Sequence, residues 1–313
     1  MVKIGFIGCH KISWHCLKKI CDLSLISNDT ISIVFNYGSK NLKKYSAYSS
    51  FDTLQSKYNF PLHYVENVAD NLNVELLKKA DLDILFIIGW HKIVPQNVLD
   101  SAKTKLGIHS SILPKDRGSS PINWQLVRGE TKGGITLFHL TSKVDEGGIV
   151  DVNEYEITNS DDVSTVYDKA IFASLNALEK NWNDIHNLNP KSIPQDETKV
   201  TINDIRKPSD GLINWKQSAE ECHNLIRAVT YPYPGAFTFW NKKKVFIWKS
   251  KISNSKETTP GEIIINQNKI MISTNKGCIE ILSLQIENEL ICSPQVFLKS
   301  YNLYSGNIFE NDK

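Results

Sequence analysis

The sequence predicts an α/β protein in which a mostly parallel sheet wrapped by helices is followed by a smaller, mainly-β domain. Continuous apolar runs such as Val2–Ile7 and Ile84–Ile88 suit strands that are buried on both faces of a sheet. Helical patterns alternate with these runs, which is typical of parallel sheets. After Pro234 the pattern changes to short strands separated by turn residues, which indicates a small sandwich or barrel.

The predicted elements follow from apolar runs for strands and from apolar residues at helical spacing for helices. In the first domain, strands are expected at Val2–Ile7, Ile31–Phe35, Leu62–Val65, Ile84–Ile88, Leu106–His109 and Gly134–His139. Helices are expected at Ser13–Leu25, Val74–Ala80, Pro95–Ser101, Ile122–Val127, 163–188 and Ala219–Val229. A polar connector at about 189–203 precedes the last helix, and short strands follow it at Ala236–Trp240, Lys244–Trp248, Gly261–Ile265, Lys269–Ser273 and Ile279–Ile286. We therefore expect a Rossmann-like domain at 1–200 and a small barrel-like domain at 201–313.

Composition and charge exclude several classes of function. The 313 residues carry a net charge of +2 and 41% are hydrophobic, so nothing points to DNA or an anionic membrane as a partner. No apolar stretch reaches the length of a membrane span, and the N-terminal one is too short for a secretory signal. Six cysteines without a C-x-x-C pair predict reduced thiols in a cytoplasmic protein, without a zinc site. A homodimer is expected only from its general frequency.

Two glycine-containing loops contain the candidate catalytic residues. His109 ends an apolar run before a loop with Pro114 and Gly118, and Asp145 lies in a second loop with Gly147. Ligands of parallel sheets lie beyond the carboxyl ends of the strands, so both loops are expected at one cleft. An imidazole beside a carboxylate suits general acid–base chemistry near neutral pH. A histidine with only a packing role is the alternative for His109 taken alone.

The loop after the first strand has two interpretations. Gly5 and Gly8 do not have the G-x-G-x-x-G spacing, and no acidic residue closes a clear second strand, so dinucleotide binding is not favoured. Either the glycines let a helix pack closely on the strand, or the loop faces a substrate through His10 and Lys11.

The residues around His109 resemble those of the N10-formyltetrahydrofolate-dependent formyltransferases. That family's signature reads Asn-x-His-x-Ser-Leu-Leu-Pro-x-x-Arg-Gly and then Asp-x-Gly-x-Ile. The chain matches it at His109, Ser111, Leu113, Pro114, Arg117, Gly118, Asp145, Gly147 and Ile149. The stretches Arg206–Trp215, His223–Val229 and Tyr231–Phe237 resemble the C-terminal region of the UDP-4-amino-4-deoxyarabinose formyltransferase domain and related sugar-nucleotide N-formyltransferases.

The resemblance implies transfer of a formyl group from N10-formyltetrahydrofolate to the amine of a sugar carried by UDP, dTDP or GDP. It implies no metal, a cytoplasmic location and a role in lipopolysaccharide O-antigen biosynthesis. His109 would be the general base and acid, and Asp145 its partner. Folate contacts are expected from Gly89, Trp90, His91, Lys92, Ile93, Val144 and Gly147. Substrate contacts are expected from Cys9, His10, Lys11, Ser111, Pro114, Arg117, Gly118, Asn224, Arg227 and Tyr233. Packing roles are the alternatives for Trp90, Arg117 and the last three residues.

One position departs from the family pattern. Gly107 stands where the family has its asparagine, and glycine offers no side-chain donor to a developing oxyanion. Loss of one such donor costs about 3 kcal/mol of transition-state stabilisation. Three explanations are open: another donor such as a water, Asn123 or Ser111, a protonated His109 that stabilises the oxyanion, or an enzyme with weak or no activity. Methionyl-tRNA formylation and non-catalytic binding of folate or nucleotide are the alternative functions.

Overall fold

The computed structural model describes residues 1–38, 47–301 and 303–310. The chain forms two compact units, each made of several segments. The first comprises Met1–Pro121, Lys132–Glu156 and Tyr167–Asp204, and the second comprises Ile122–Thr131, Ile157–Val166 and Ile205–Lys313. The predicted contiguous domains, 1–200 and 201–313, therefore differ from these units in two internal segments and in the placement of residues 201–204.

The first unit is built on a seven-stranded sheet. Its strands are β1 (Lys3–Ile7), β2 (Thr30–Tyr37), β3 (Leu62–Val65), β4 (Leu82–Ile88), β5 (Ala102–His109), β7 (Lys132–His139) and β8 (Ile149–Glu156). The strand order is β3-β2-β1-β4-β5-β7-β8. Neighbours from β3 to β5 run parallel, whereas β7 is antiparallel to both β5 and β8. The mostly parallel sheet predicted from the sequence is confirmed.

Helices and two short strands complete this unit. The helices are α1 (Lys11–Ser27), α2 (Asp52–Tyr58), α3 (Asn71–Lys79), α4 (Gln96–Leu99) and most of α6 (Val163–His186). Helix α1 buries Ile12, Cys16 and Ile20, which recur every four residues and so lie on one face. The short strands β6 (Arg117–Gly118) and β9 (Ile202–Asn203) pair in parallel, so the predicted polar connector contributes to this unit.

The second unit carries a five-stranded antiparallel sheet. Its strands are β10 (Ala236–Trp240), β11 (Lys243–Ser253), β12 (Ile263–Asn266), β13 (Lys269–Ser273) and β14 (Cys278–Ile286), in the order β10-β11-β14-β13-β12. Glu310 bridges to Phe239 of the edge strand β10, and Ile308 bridges to Glu262 just before the other edge strand, β12. The C-terminal segment thus pairs at both edges, which gives the sheet its barrel-like character. The unit also contains most of α5 (Pro121–Val127), α7 (Ala219–Val229) and α8 (Pro294–Ser300).

Five of the strands and helices named above were not predicted from the sequence, and two of them, β6 and β9, have only two residues each. Strand β8 has mostly half-buried and exposed residues and reads IVDVNEYE, so it lacks the apolar run that marks the interior strands. Helices α2 and α8 have seven residues each, too few for a clear period. Among the described residues, no helix combines the length and the apolar character that a membrane span requires.

Candidate active site

His109 and Asp145 lie close together in the first unit. His109 is the last residue of β5, and Asp145 lies in the loop between β7 and β8, with a left-handed backbone at φ 54°. His109 Nδ1 is 3.5 Å from Asp145 Oδ2, and the two side chains are 11% and 17% exposed. Strand β7 runs antiparallel to β5 with Thr136 opposite His109, and the loop that follows β7 brings Asp145 back to the end of β5. The imidazole and the carboxylate that the sequence paired are therefore within reach of each other, and a small part of each faces solvent.

Further hydrogen bonds fix the orientation of this pair. Asp145 Oδ2 accepts a hydrogen bond from the Gly118 amide at 2.9 Å. His109 Nε2 lies 2.7 Å from the Asp116 carbonyl oxygen. A carbonyl oxygen only accepts hydrogen bonds, so Nε2 is the donor in this arrangement. The other ring nitrogen, Nδ1, faces the Asp145 carboxylate.

The loop after β5 is held from within. The Ser111 hydroxyl donates to the Lys115 carbonyl at 2.7 Å, and Thr136 Oγ1 donates to the Ser111 carbonyl at 2.7 Å. Ser111 is completely buried. Its only hydroxyl proton is therefore used inside the loop. This geometry favours a loop-holding role over the predicted substrate contact, and it removes Ser111 as a replacement donor for an oxyanion. Pro114, half-buried in the same loop, follows a cis peptide bond.

Arg117 is part of a buried hydrogen-bond network. Its Nε and Nη2 donate to Gln195 Oε1 at 3.1 and 2.8 Å, and its Nη2 also donates to Glu197 at 2.7 Å. The arginine is 4% exposed. The hydrogen bond with Arg117 also holds the pKa of the Glu197 carboxyl below its usual range. These contacts favour the structural alternative for Arg117 over a phosphate contact.

Gln195 connects this network to the Asp145 loop. Its Nε2 donates to the carbonyl oxygens of Asp145 and Gly147 at 2.7 and 2.8 Å, while its Oε1 accepts from Arg117. All polar capacity of the amide is used, so Gln195 determines where the Asp145 backbone lies. Sequence reasoning missed this residue because it lies in a segment that resembles a linker.

Gly147 is required by a close backbone approach. A Cβ atom on Gly147 would lie 1.6 Å from the His139 carbonyl oxygen, a distance at which no side chain fits. The predicted folate contact of Gly147 is therefore a matter of backbone atoms. Val144 is half-exposed in the same loop, with 50% of its surface accessible.

The loops after β1 and β4 lie next to each other. Cys9 N donates to the Gly89 carbonyl at 3.2 Å, and Cys9 Sγ lies 3.5 Å from His91 Nδ1. Burial raises the pKa of the Cys9 thiol to about 12. Burial, followed by the charge of His91, lowers the pKa of His10 to about 4. The predicted substrate loop and the predicted folate loop thus meet at Cys9.

The remaining residues of these two loops differ in exposure and partners. Trp90 packs against the buried apolar cluster beneath the loop, and its Nε1 is buried without a hydrogen-bond partner among the described residues. Lys92 bonds to the Glu66 carbonyl, and Ile93 is 76% exposed. Lys11 Nζ forms an ion pair with Asp168 at 2.6 Å. These contacts favour the packing alternative for Trp90, and the Lys11 ammonium is paired with a carboxylate of the protein.

The predicted nucleotide contacts in the second unit are mostly engaged there. Arg227 Nε donates to Asn224 Oδ1 at 2.9 Å, and its Nη1 donates to the Thr158 and Asp161 carbonyls at 2.9 and 3.2 Å. Both Asn224 and Arg227 are 6% exposed. Burial raises the pKa of the Tyr233 hydroxyl. These contacts favour the packing alternative for Asn224 and Arg227.

Two family descriptions match successive parts of the chain. Residues 29–180 match the family described as formyl transferase, and residues 206–302 match the formyl transferase C-terminal domain. The chain belongs to the formyltransferase family. The resemblance noted around His109 and in the last third is thereby confirmed.

One curated relative and two solved structures are similar to the chain, and the two structures show that it shares their fold. The chain is 34% identical over 285 residues to the bifunctional polymyxin resistance protein ArnA of Wigglesworthia glossinidia brevipalpis, covering 91% of this chain and 43% of that protein. It resembles WlaRD, a sugar 3N-formyltransferase solved with dTDP and 5-N-formyltetrahydrofolate, with a TM-score of 0.67 and 21% identity over 93% of this chain and 99% of that one. It also resembles HypX from Aquifex aeolicus in complex with tetrahydrofolic acid, with a TM-score of 0.66 and 16% identity over 95% of this chain and 47% of HypX. The chain thus spans less than half the length of ArnA and of HypX.

Gly107 stands where the formyltransferase family has asparagine, and the structure shows what surrounds this position. A Cβ atom on Gly107 would lie 2.7 Å from Leu140 Cδ2 and 3.2 Å from Phe138 Cε1. Apolar side chains therefore fill the space in front of the position that carries asparagine in the family. Asn123, one candidate replacement, donates to the Ala228 carbonyl at 2.7 Å and is 2% exposed. Its amide serves the second unit and is buried, which argues against it.

Proposed function

We propose that the protein is a sugar-nucleotide N-formyltransferase that uses N10-formyltetrahydrofolate. The observation that carries the proposal is the His109–Asp145 pair, 3.5 Å apart at the carboxyl end of β5, in a chain of the formyltransferase family. The similarity to ArnA and the dTDP and 5-N-formyltetrahydrofolate in the WlaRD structure support the choice of substrates.

In the proposed reaction, the amine nitrogen of the sugar attacks the formyl carbon. His109 takes a proton from that nitrogen, and Asp145 stabilises the resulting imidazolium. The bond between the formyl carbon and N10 then breaks, and the proton passes to N10, which leaves as part of tetrahydrofolate. Atoms and charge balance without a metal or a redox partner.

The oxyanion of the tetrahedral intermediate needs a donor that Gly107 does not supply. The Ser111 hydroxyl already donates to the Lys115 carbonyl, and the buried Asn123 amide donates to the Ala228 carbonyl. We therefore propose that solvent donates hydrogen bonds to the oxyanion and that the positive charge of the His109 imidazolium stabilises it. The positive charge appears when the amine proton arrives, which is also when the oxyanion forms.

The finer aspects of the function are part of the same proposal. Formyl donor and nucleotide sugars are cytoplasmic metabolites, so we expect the reaction in the cytoplasm. A formylated amino sugar suits lipopolysaccharide and its O-antigen. We expect the carrier of the amino sugar to be UDP, dTDP or GDP, and a homodimer is the expected assembly.

The test is a turnover assay with N10-formyltetrahydrofolate and a panel of amino-sugar nucleotides on UDP, dTDP and GDP. We expect tetrahydrofolate to form together with a sugar nucleotide heavier by the mass of CO. The matched controls are the same nucleotides with a hydroxyl group in place of the amine, and the His109→Ala variant. Folate binding without turnover of any amine would overturn the proposal in favour of a binding protein. Formylation of methionyl-tRNA, with binding that weakens steeply as salt rises, would overturn it in favour of a tRNA enzyme.

A further inference from the structure

Cys9, His10 and His91 place three metal-ligating side chains at one point of the first unit. One ligand atom from each of the three lies within 4.8 Å of the other two. Cys9 is buried and the two histidines are half-buried. Cys9 and His10 follow β1, whereas His91 follows β4, so the cluster spans two loops that are distant in sequence.

The separation of Cys9 and His91 suits two ligands of a tetrahedral ion. Zinc binds thiolate sulfur at about 2.3 Å and imidazole nitrogen at about 2.0–2.1 Å, so two such ligands on a tetrahedral ion lie about 3.5 Å apart. The separation of Cys9 Sγ and His91 Nδ1 is 3.5 Å. The His10 and His91 rings are stacked with centroids 6.5 Å apart, which brings the second imidazole beside the first.

The backbone holds the two loops in place without an ion. Strands β1 and β4 pair directly, and Cys9 N donates to the Gly89 carbonyl at 3.2 Å. Ser13 Oγ donates to the Ile88 carbonyl at 2.6 Å and accepts from the His10 amide at 3.0 Å. The Tyr37 ring packs edge-on to the His91 ring, with centroids 4.6 Å apart, and so restrains its orientation. Ligands that are already held lose little conformational entropy on binding.

The ligand set selects the kind of ion. One thiolate and two imidazoles suit zinc and cobalt, whereas magnesium and calcium require oxygen ligands. Three protein ligands leave a fourth position for water or another small donor.

We propose that Cys9, His10 and His91 bind one Zn²⁺ ion, which joins the loop after β1 to the loop after β4. On binding, the Cys9 thiol gives up to solvent the proton that it donates to the Gly89 carbonyl, and the Zn–S bond replaces that hydrogen bond. The three ligands are different residues from the His109–Asp145 pair, and no step of the proposed formyl transfer involves the ion. The site was missed in the sequence because its ligands are not arranged as a C-x-x-C or H-x₃-H motif.

The test uses Co²⁺ as a spectroscopic substitute for Zn²⁺ on the full chain without an affinity tag, under reducing conditions. We expect a near-ultraviolet cobalt–thiolate charge-transfer band that saturates at one equivalent, with the intense visible bands of tetrahedral cobalt. Zn²⁺ should displace the cobalt. Because the readout is optical, it does not depend on whether the formyltransferase proposal is correct.

Substitutions identify the ligands. Cys9→Ser should abolish the charge-transfer band, and His91→Gln should raise the Kd by at least about 100-fold, because even outer-shell partners are worth roughly 10–100-fold. The matched controls are Cys292→Ser, the least buried of the six cysteines, and His15→Gln on α1. Both should bind cobalt as the unaltered protein does. Circular dichroism establishes that each variant is folded. If Cys9→Ser does not fold, His91→Gln alone decides the question.

Two results would overturn the proposal. One is the absence of a charge-transfer band at saturating Co²⁺ in the unaltered protein. The other is a band that persists unchanged in the folded Cys9→Ser or His91→Gln variant.

Discussion

Leu140 occupies the space that a side chain at position 107 would need, since a Cβ atom on Gly107 would lie 2.7 Å from Leu140 Cδ2. The two residues are therefore coupled. Strand β5 points the side chains of residues 107 and 109 to the same face, so this packing also bears on His109.

We predict that Gly107→Asn will destabilise the protein and lower the rate of formyl transfer. Forcing a longer side chain against Leu140 and Phe138 should cost about 1–3 kcal/mol of unfolding free energy. Urea unfolding measures this cost. Gly107→Ala is the control, because its single methyl group meets the movable end of the Leu140 side chain and should be tolerated better.

The double variant Gly107→Asn/Leu140→Ala tests the coupling. We expect its loss of stability to be smaller than the sum of the two single losses, by about 0.5–3 kcal/mol, because the smaller residue makes room for the amide. Additive losses would contradict the coupling.

We predict that His109→Ala will lower kcat by about 10²–10⁴-fold, the range for loss of a general acid–base group. Folate affinity, measured by fluorescence titration, should stay within a few-fold. Loss of folding instead of loss of turnover would return His109 to a packing role.

Asp145→Asn should lower kcat and leave the fold intact, because the amide oxygen still accepts from the Gly118 amide at the position of Asp145 Oδ2. Only the negative charge beside the imidazole is removed. The matched control is Glu146→Gln on the next residue, whose carboxylate is 3.9 Å from Arg117. A rate in Asp145→Asn equal to that of Glu146→Gln would exclude a role for the Asp145 charge.

Gln195→Ala should lower both stability and kcat, although Gln195 lies in a segment that resembles a linker. It removes two hydrogen bonds to the Asp145 loop and two from Arg117, which should cost about 1–3 kcal/mol. Gln195→Glu keeps the acceptor for Arg117 but removes the donor to the Asp145 and Gly147 carbonyls. If positioning of Asp145 matters, Gln195→Glu will lose kcat while retaining most of the Arg117 contacts. Equal kcat in Gln195→Glu and the unaltered protein would contradict this role.

Arg117→Lys separates structure from substrate binding at this position. Lysine cannot contact Gln195 and Glu197 in the same forked geometry, so we expect a loss of stability of about 1–3 kcal/mol. The KM for the nucleotide sugar should change less than about three-fold, because Arg117 makes no direct contact with the substrate in this interpretation. A large rise in KM with unchanged stability would instead support the phosphate contact predicted from the sequence.

The sequence predicted the strands and helices that depend on apolar pattern. Strand β4 (Leu82–Ile88) is buried at every residue except Asp83, as expected from its apolar run. The pairing of His109 with Asp145 could be predicted from the two family motifs, whereas the antiparallel direction of β7 differs from the parallel strand ends that the sequence argument assumed. The role of Gln195 could not be predicted, since a polar residue after Pro194 in a polar segment carries no pattern that reveals its partners.

The contact between Cys9 and His91 was also beyond the sequence. It depends on β1 lying beside β4, and a one-dimensional pattern does not state which loops become neighbours. Ser111 is a different case. Its match to the family motif suggested a substrate contact, whereas burial and a hydrogen bond to Lys115 assign it to the loop itself.

The pairing of β6 with β9 limits how far the chain can be truncated after the first unit. Thr201 supplies its carbonyl to the Arg117 amide at 2.9 Å and its hydroxyl to the Asp116 amide at 2.8 Å. A fragment ending at residue 200 would remove these supports from the loop that also holds His109 Nε2. Truncation studies of the catalytic half should therefore retain residues to at least Asp204, because a shorter piece would lose activity through a displaced loop.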